Sequence, residues 1–297
     1  VKTTSRFAHK LVKSLGIEEI FARLGSALPY TFRFIPLHYN YSANDQRTIY
    51  RDDVYFNVNM SDYMQWHIFA NLPEASWLWA NRLCEDGSVV FDIGANVGVF
   101  SLKLAQRCQK EEKKFRIHAF EPNPAICQAF EGNLQLNPAL ADQIHVEKVC
   151  LSSESGKIPF HIDDANTGGG SVLAKATAAA REILVDAITL DEFVARNELE
   201  RIDFIKIDVE GSEPLVLAGA IETIKQHMPF LYIEMTNPWF RKLDSSNQKI
   251  IDMLIELGYR CEEVEDTKVL ASRPLNQARI DGDNQFNIVA FPPNFVP

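Results

Sequence analysis

The sequence predicts an α/β protein whose mainly parallel sheet carries helices on both faces. Three observations predict it. From residue 88 onward, strand-like and helix-like segments alternate, the pattern of a parallel sheet with crossover helices. The first of these strands runs into a helix through a glycine-containing turn, "VVFDIGANVGVF". Acidic residues recur at or near the carboxyl ends of the strands: Asp92, Glu121, Asp208, Glu210 and Glu234.

The elements follow in chain order. Residues 1–87 form a lead-in that opens on an amphipathic helical pattern, Phe7, Leu11 and Leu15. Strand-like "DVYFNVNM" comes next, then one helical run, "DYMQWHIFANLPEASWLWANRL". Residues 88–297 read as the main domain. Strand "SVVFDIGA" leads into helix "VGVFSLKLAQRC", where Val99, Leu102, Leu104 and Ala105 have helical spacing. Strand "FRIHAFE" precedes helix "PAICQAFEGNLQLN", which opens on proline as helices tolerate. "IHVEKVCLS" reads as one strand and "SSESGKIPFHID" as a hairpin-like piece. The glycine-rich stretch after it, "DDANTGGGSVL", reads as a surface loop. Strand "IDFIKIDVE", helix "SEPLVLAGAIETIKQH", strand "PFLYIEM", helix "SNQKIIDMLIELG" and strand "NQFNIVAF" complete the chain.

Composition excludes several classes. The chain has 297 residues, 46% hydrophobic and 24% charged, which suits a globular protein with a full core. Its formal net charge of −10 argues against a protein that tracks nucleic-acid phosphates. No apolar run reaches transmembrane length. The five cysteines are scattered, odd in number and without a C-x-x-C pair, so neither a disulfide scaffold nor a zinc site is expected. A reducing compartment, the cytoplasm, is the simpler reading.

The glycine turn carries the first chemistry. Asp92, Gly94, Asn96 and Gly98 stand where a backbone can approach a ligand and a helix N-terminus offers free N–H groups. A dinucleotide fingerprint would be G-x-G-x-x-G. The spacing here is G-x-N-x-G with an acid two residues before the first glycine. Glu121 closes the second strand in "HAFEPN", where an acid can accept both hydroxyl hydrogens of a ribose. That feature alone does not separate methyltransferases from nicotinamide enzymes.

Together, "FDIGANVGVFSL", "AFEPNP", "AITLDEF" and "IKIDVEGSEPLVLAGA" resemble the FkbM family of methyltransferases. The first stretch is similar to motif I of class I S-adenosylmethionine-dependent enzymes, with Asn96 in place of the middle glycine. The resemblance runs from about residue 60 to the C-terminus. It implies a Rossmann-like class I sheet whose last strand is antiparallel. It also implies S-adenosylmethionine as cofactor and a hydroxyl acceptor on a glycan or secondary metabolite. Cofactor contacts are then expected from Asp92, Gly94, Asn96, Gly98, Glu121, Pro122, Asn123 and Asp208. Two other readings remain: an NAD(P)-dependent oxidoreductase on the same fold, which motif I disfavours, and a non-catalytic cofactor-binding scaffold. Residues 1 to about 55 match no known pattern and are a candidate for setting the substrate, and the N-terminal extension, residues 1–87, is a candidate surface for homo-oligomer formation.

In "IKIDVEG", Lys206, Asp208 and Glu210 alternate and should share one strand face. Buried charge persists only when paired, so Lys206 is first a counter-ion and second a catalyst. Asp208 sits where cofactor and acceptor should meet. Glu210 suits either helix entry or the acceptor. Transfer to an alcohol needs a base, and Asp208, Glu210, Lys206 and His67 are the candidates. The assigned catalytic set is Asp208, Lys206 and Glu210, with no metal. A divalent cation held by Asp208, Glu210 and Glu234 is the minority reading.

Overall fold

The computed structural model describes residues 2–24, 31–72, 74–163, 166–173, 180–265 and 270–295. Helices α1 (Lys2–Leu15) and α2 (Glu18–Leu24) and two short 3-10 turns lead into a hairpin, β1 (Gln46–Arg51) and β2 (Val54–Asn59). Helices α3 (Tyr63–Phe69) and α4 (Ser76–Leu83) follow. The main domain then runs β3 (Val89–Ile93), α5 (Val99–Lys110), β4 (Arg116–Phe120), α6 (Pro124–Leu136), β5 (Ile144–Glu147), β6 (Cys150–Leu151), β7 (Gly156–Asp163), β8 (Asn166–Ser171) and β9 (Ala180–Ile188). After α7 (Leu190–Arg196) come β10 (Phe204–Ile207), α8 (Glu213–Ala218), α9 (Ile221–His227), β11 (Phe230–Met235), α10 (Asn237–Phe240) and α11 (Asn247–Glu256). Strands β12 (Arg260–Val264) and β13 (Ser272–Pro274), helix α12 (Gln277–Asp281) and strand β14 (Phe286–Phe291) end the described chain.

The principal sheet has the order β13-β12-β14-β11-β10-β3-β4-β5. Strands β11, β10, β3, β4 and β5 pair in parallel, and β14 lies antiparallel against β11. The mainly parallel sheet and its antiparallel last strand are therefore present. A smaller sheet, β6-β9-β7-β8, stands beside it.

Alternation along the strands sorts two cores. Val89, Phe91 and Ile93 face one cluster with Ile205, Ile207 and the helices α7 to α11. Val90 and Phe204 face the other, shared with α5, α6 and the N-terminal elements: Ile49, Phe56, Trp66 and Trp79. Asp92 and Lys206 are in register on this second face. The N-terminal segment is bound there by polar contacts as well. The side chains of Asn133 in α6 and of Asn137 at its C-terminal cap accept from the backbone N–H groups of Asn57 and Tyr55 at 2.8 and 2.9 Å. Lys103 of α5 meets Asp52 at 2.7 Å.

Several expected elements divide. The helical run before residue 84 becomes α3 and α4. Asn71 takes a left-handed conformation (φ 56°), and its N–H and that of Leu72 bond back to Ile68 and His67 (both 3.1 Å), closing α3. Pro73 lies outside the described residues. The expected helix over 212–227 breaks at Gly219, where a Cβ would stand 2.1 Å from the Ser152 carbonyl. The Asp191 carboxylate then accepts from Glu222 and Thr223 N–H (3.2 and 2.7 Å), capping α9 anew. "IHVEKVCLS" splits between two sheets. The glycine-rich stretch expected as a loop is in its described part a strand, β8, antiparallel to β7. Asp163 ends β7, Val172 and Leu173 form a bend, and residues 164–165 lie outside the described residues.

Candidate active site

A cavity of about 280 Å³ opens at the carboxyl ends of β3, β4 and β10. This is where open α/β sheets place their ligands. Gly94, Asn96, Glu121, Pro122, Lys206, Asp208 and Glu210 all line it. Asp92, Gly98 and Asn123 do not, and each has a supporting task instead.

Asp92 is fully buried below the turn. One oxygen is 3.3 Å from the Lys206 ammonium and the other accepts from Ser101 Oγ at 2.7 Å. Both oxygens are thus used inside the protein. Gly98 (φ 89°) is required because a Cβ there would lie 2.1 Å from the Phe130 ring. Asn123 caps α6, its side chain accepting from Ala125 N–H at 3.1 Å.

The turn itself is a close approach of two loops. Gly94 has φ 82°, and a Cβ would sit 1.9 Å from the Asp208 carbonyl oxygen. Asn96 has φ 50°, a left-handed conformation that asparagine tolerates better than other side chains. That explains how Asn serves where motif I carries glycine. Its N–H donates to Glu121 Oε2 at 3.1 Å, and the Asn123 N–H donates to Oε1 at 2.9 Å. Burial pushes the Glu121 carboxyl up to about 7, against the pull of these two N–H groups. Each oxygen keeps a lone-pair direction for a further donor from the cavity.

Across the cavity, Lys206 Nζ lies 3.3 Å from Asp92, 3.4 Å from Asp208 and 3.1 Å from the Gly94 carbonyl. Burial opposes its charge, but the carboxylates of Asp208, Asp92 and Glu74 outweigh it and hold the pKa above the ordinary lysine value. A lysine fixed in its charged form cannot take a proton from an alcohol. Its contacts suit Lys206 to the counter-ion reading, a cation that offsets Asp92 and orients Asp208.

The expected shared strand face is corrected beyond Lys206. Strand β10 ends at Ile207, and Glu210 (φ 53°) sits in the following turn, still on the cavity wall. Ser171 of β8 clasps this turn, donating to the Glu210 carbonyl at 3.1 Å. Gly211 leaves room for Trp239, whose Cβ would lie 2.4 Å from an added methyl.

Behind Asp208 lie two more carboxyls. Glu213 is fully buried, with Oε1 accepting from Val209 N–H at 2.8 Å; burial first, then the Asp208 charge, push it up to about 8. Burial and the charges of Asp208, Glu213 and Glu210 raise Glu234 well above the usual carboxylate range. Glu234 bonds Gln285 and does not line the cavity. Among the described residues, no group of three His, Cys, Asp or Glu side chains is arranged to hold a metal ion.

The remaining walls were not legible in the sequence. Met64, His67 and Ile68 come from α3, and Phe160 and Val172 from or beside the small sheet. Val149, Cys150 and Leu151 follow β5, and Lys103 and Glu74 add charge. Of these, His67 is the candidate base named above. It is half-buried, its ring tilted against that of Tyr63 with centroids 4.3 Å apart, and burial and the neighbouring His38 lower its pKa. The position of Val149 to Leu151 near the carboxyl end of a predicted strand was the one signal available for the rest.

A family model described as the methyltransferase FkbM domain matches residues 92–261. Over 158 residues the chain is 30% identical to the 31-O-demethyl-FK506 methyltransferase FkbM of Streptomyces tacrolimicus, covering 45% of this chain and 59% of that protein. Over 185 residues it is 28% identical to the 2-O-methyltransferase NoeI of Sinorhizobium fredii, covering 56% of this chain and 70% of that one. The chain thus spans about six- to seven-tenths of the length of these relatives. It is also similar to the crystal structure of a methyltransferase FkbM from Methylobacillus flagellatus, with 21% identity, a TM-score of 0.44, and coverage of 69% of this chain and 44% of that one. The domain match takes in the glycine turn, Glu121 and the Lys206–Asp208 pair across more than half of the sequence, and the chain belongs to the methyltransferase FkbM domain family.

Proposed function

We propose that this protein transfers the methyl group of S-adenosylmethionine to a hydroxyl oxygen of a glycan or secondary metabolite. The observation that carries the reading is the pairing of two walls in one cavity. The Gly94–Asn96 turn with Glu121 forms one, and Asp208 with Glu210 the other. The first wall fits the cofactor. Gly94 leaves a cradle that a Cβ would fill, Asn96 holds its left-handed turn, and Glu121 presents two acceptor oxygens to ribose hydroxyls. Pro122 borders the same wall. Asp92, Gly98 and Asn123 act from behind by fixing the turns.

The cofactor, when bound, supplies a methyl carbon held on a positively charged sulfur. The protein's part is to orient the acceptor and manage one proton. Asp208, 41% exposed and held by Lys206, accepts a hydrogen bond from the acceptor hydroxyl. With the cofactor bound as methyl donor, Asp208 would take the hydroxyl proton and pass it to solvent. Glu210 lies beside it as a second acceptor. Positioning of the oxygen in line with the methyl group contributes much of the acceleration. The names of the FkbM and NoeI relatives, both O-methyl transfers, support oxygen as the acceptor atom. The five cysteines carry no disulfide, which fits a reducing compartment, and we place the enzyme in the cytoplasm.

The test uses methyl-labelled S-adenosylmethionine with extract of the native host and mass analysis of the labelled product. Wild-type protein should label a hydroxylated small molecule or glycan. Asp208→Asn should abolish labelling while calorimetric binding of S-adenosylhomocysteine persists. Undiminished labelling by that variant would remove Asp208 from the mechanism.

A further inference from the structure

The exposed apolar side chains of this protein are unevenly placed. Of the large hydrophobic residues exposed among the described residues, all but Leu136, Leu184 and Ile255 fall between Leu11 and Tyr63. Scattered exposed apolar groups need no explanation, but concentration in one segment does. Leu11 and Leu15 stand one turn apart on α1, exposed by 48% and 60%, while Val12 turns into the core. Phe34 and Leu37 are likewise open to solvent, and Tyr39 is 70% exposed.

Helix α1, where this segment begins, reverses the charge of the chain. The protein carries a formal −10, yet the sequence of α1 holds Lys2, Arg6, Lys10 and Lys13 and no acid. At helical spacing Lys10 and Lys13 lie on the flank opposite Leu11 and Leu15. An apolar stripe with a basic opposite flank is the pattern of a helix lying in the plane of an anionic lipid surface. Among the described residues no helix is long and apolar enough to cross a membrane, so lying on the surface is the mode this helix fits.

The patch is joined to the cavity. His9 Nε2 is 2.7 Å from the Arg33 carbonyl, which ties α1 to the turn carrying Phe34. His38, beside Leu37 and Tyr39, lies with its ring centroid 5.2 Å from that of Tyr63, and Tyr63 is 4.3 Å from His67 of the cavity wall. We propose that α1 and the adjoining turns dock this protein on an anionic lipid surface, with the cavity mouth held close to it. Charge complementarity selects this partner over a second copy of the chain, because two basic α1 helices would repel. The inference stands apart from the methyl-transfer reading and would survive its failure.

The test is sedimentation of the full chain with vesicles of phosphatidylcholine alone or mixed with phosphatidylglycerol. The expected result is binding to the mixed vesicles only, weakening as salt is raised. Lys10→Gln, a change at an exposed position, should lower partitioning roughly fivefold. Leu11→Asp with Leu15→Asp should abolish it while circular dichroism and S-adenosylhomocysteine binding stay unchanged. No binding to either vesicle, or equal binding to both, would overturn the proposal. So would a dimer in size-exclusion chromatography that the Leu11 and Leu15 changes dissolve without any vesicle binding, since the face would then join two copies.

Discussion

At the scale of single residues, the site turns on how burial treats its charges. Glu121 is buried and pushed up to about 7, so near neutrality the free protein holds it partly protonated. Ribose hydroxyls donate hydrogen bonds, which a carboxylate accepts better than a carboxylic acid. Cofactor binding should therefore favour the ionised form and pull its pKa down. The sign follows: affinity is full above about pH 7 and falls as pH drops below it, by up to about tenfold per pH unit until the bound-state pKa is reached. Calorimetric titration with S-adenosylhomocysteine between pH 5 and 9 checks this. Glu121→Gln should bind more weakly at pH 8 and lose the dependence; a slope that survives in the variant would assign it to another group. Glu121 was legible in the sequence because its strand and its place after the glycine turn are local features. Which carboxylate Lys206 meets was not. Its contact with Asp92 spans 114 residues of sequence and exists only because β10 and β3 pair in parallel with these two residues in register.

At the scale of elements, the glycines distinguish turns that are geometrically forced from helix positions that are free. Gly94 and Gly132 make a matched pair. Alanine at Gly94 would need positive φ and would drive a methyl into the Asp208 carbonyl, so the β3–α5 turn or the end of β10 must shift. Gly132 lies inside α6 with nothing within 4 Å of an added Cβ. Gly132→Ala should stabilise by about 0.5–1 kcal/mol through helix propensity. Gly94→Ala should destabilise by roughly 1–3 kcal/mol and weaken cofactor binding. Urea unfolding of both variants measures the pair, and an equal response would mean that the turn is not strained as drawn. The elements most legible beforehand were β3, α5, β4, α6 and β11, each with an unbroken period and a clean start or stop. Those misread were decided from a distance. The break between α8 and α9 is set by Ser152 and Asp191, and β8 is a strand because β7 supplies its partner, despite glycines with little strand preference of their own.

At the scale of the whole molecule, the sequence divides near residue 87 but the packing does not follow that line. The cluster on one face of the sheet includes Phe56, Trp66 and Trp79 from the N-terminal segment together with Phe100, Phe130 and Phe204 from the main domain. Residues of α3 also complete the cavity wall, so the site itself requires both parts. Two segments that share one core should unfold together. The four tryptophans allow a direct test, since Trp66, Trp77 and Trp79 lie in the first segment and Trp239 in the second. Variants that keep only Trp66 or only Trp239, the others changed to phenylalanine, report on the two regions separately. In each variant the urea transition by fluorescence should coincide with that by far-ultraviolet circular dichroism. Loss of the Trp66 signal at lower urea than the circular dichroism change would show the N-terminal segment detaching first. The shared core would then contribute less to its stability than the contacts with α5 and α6 imply, and the cavity would lose one wall before the sheet that bears Glu121 and Asp208 came apart.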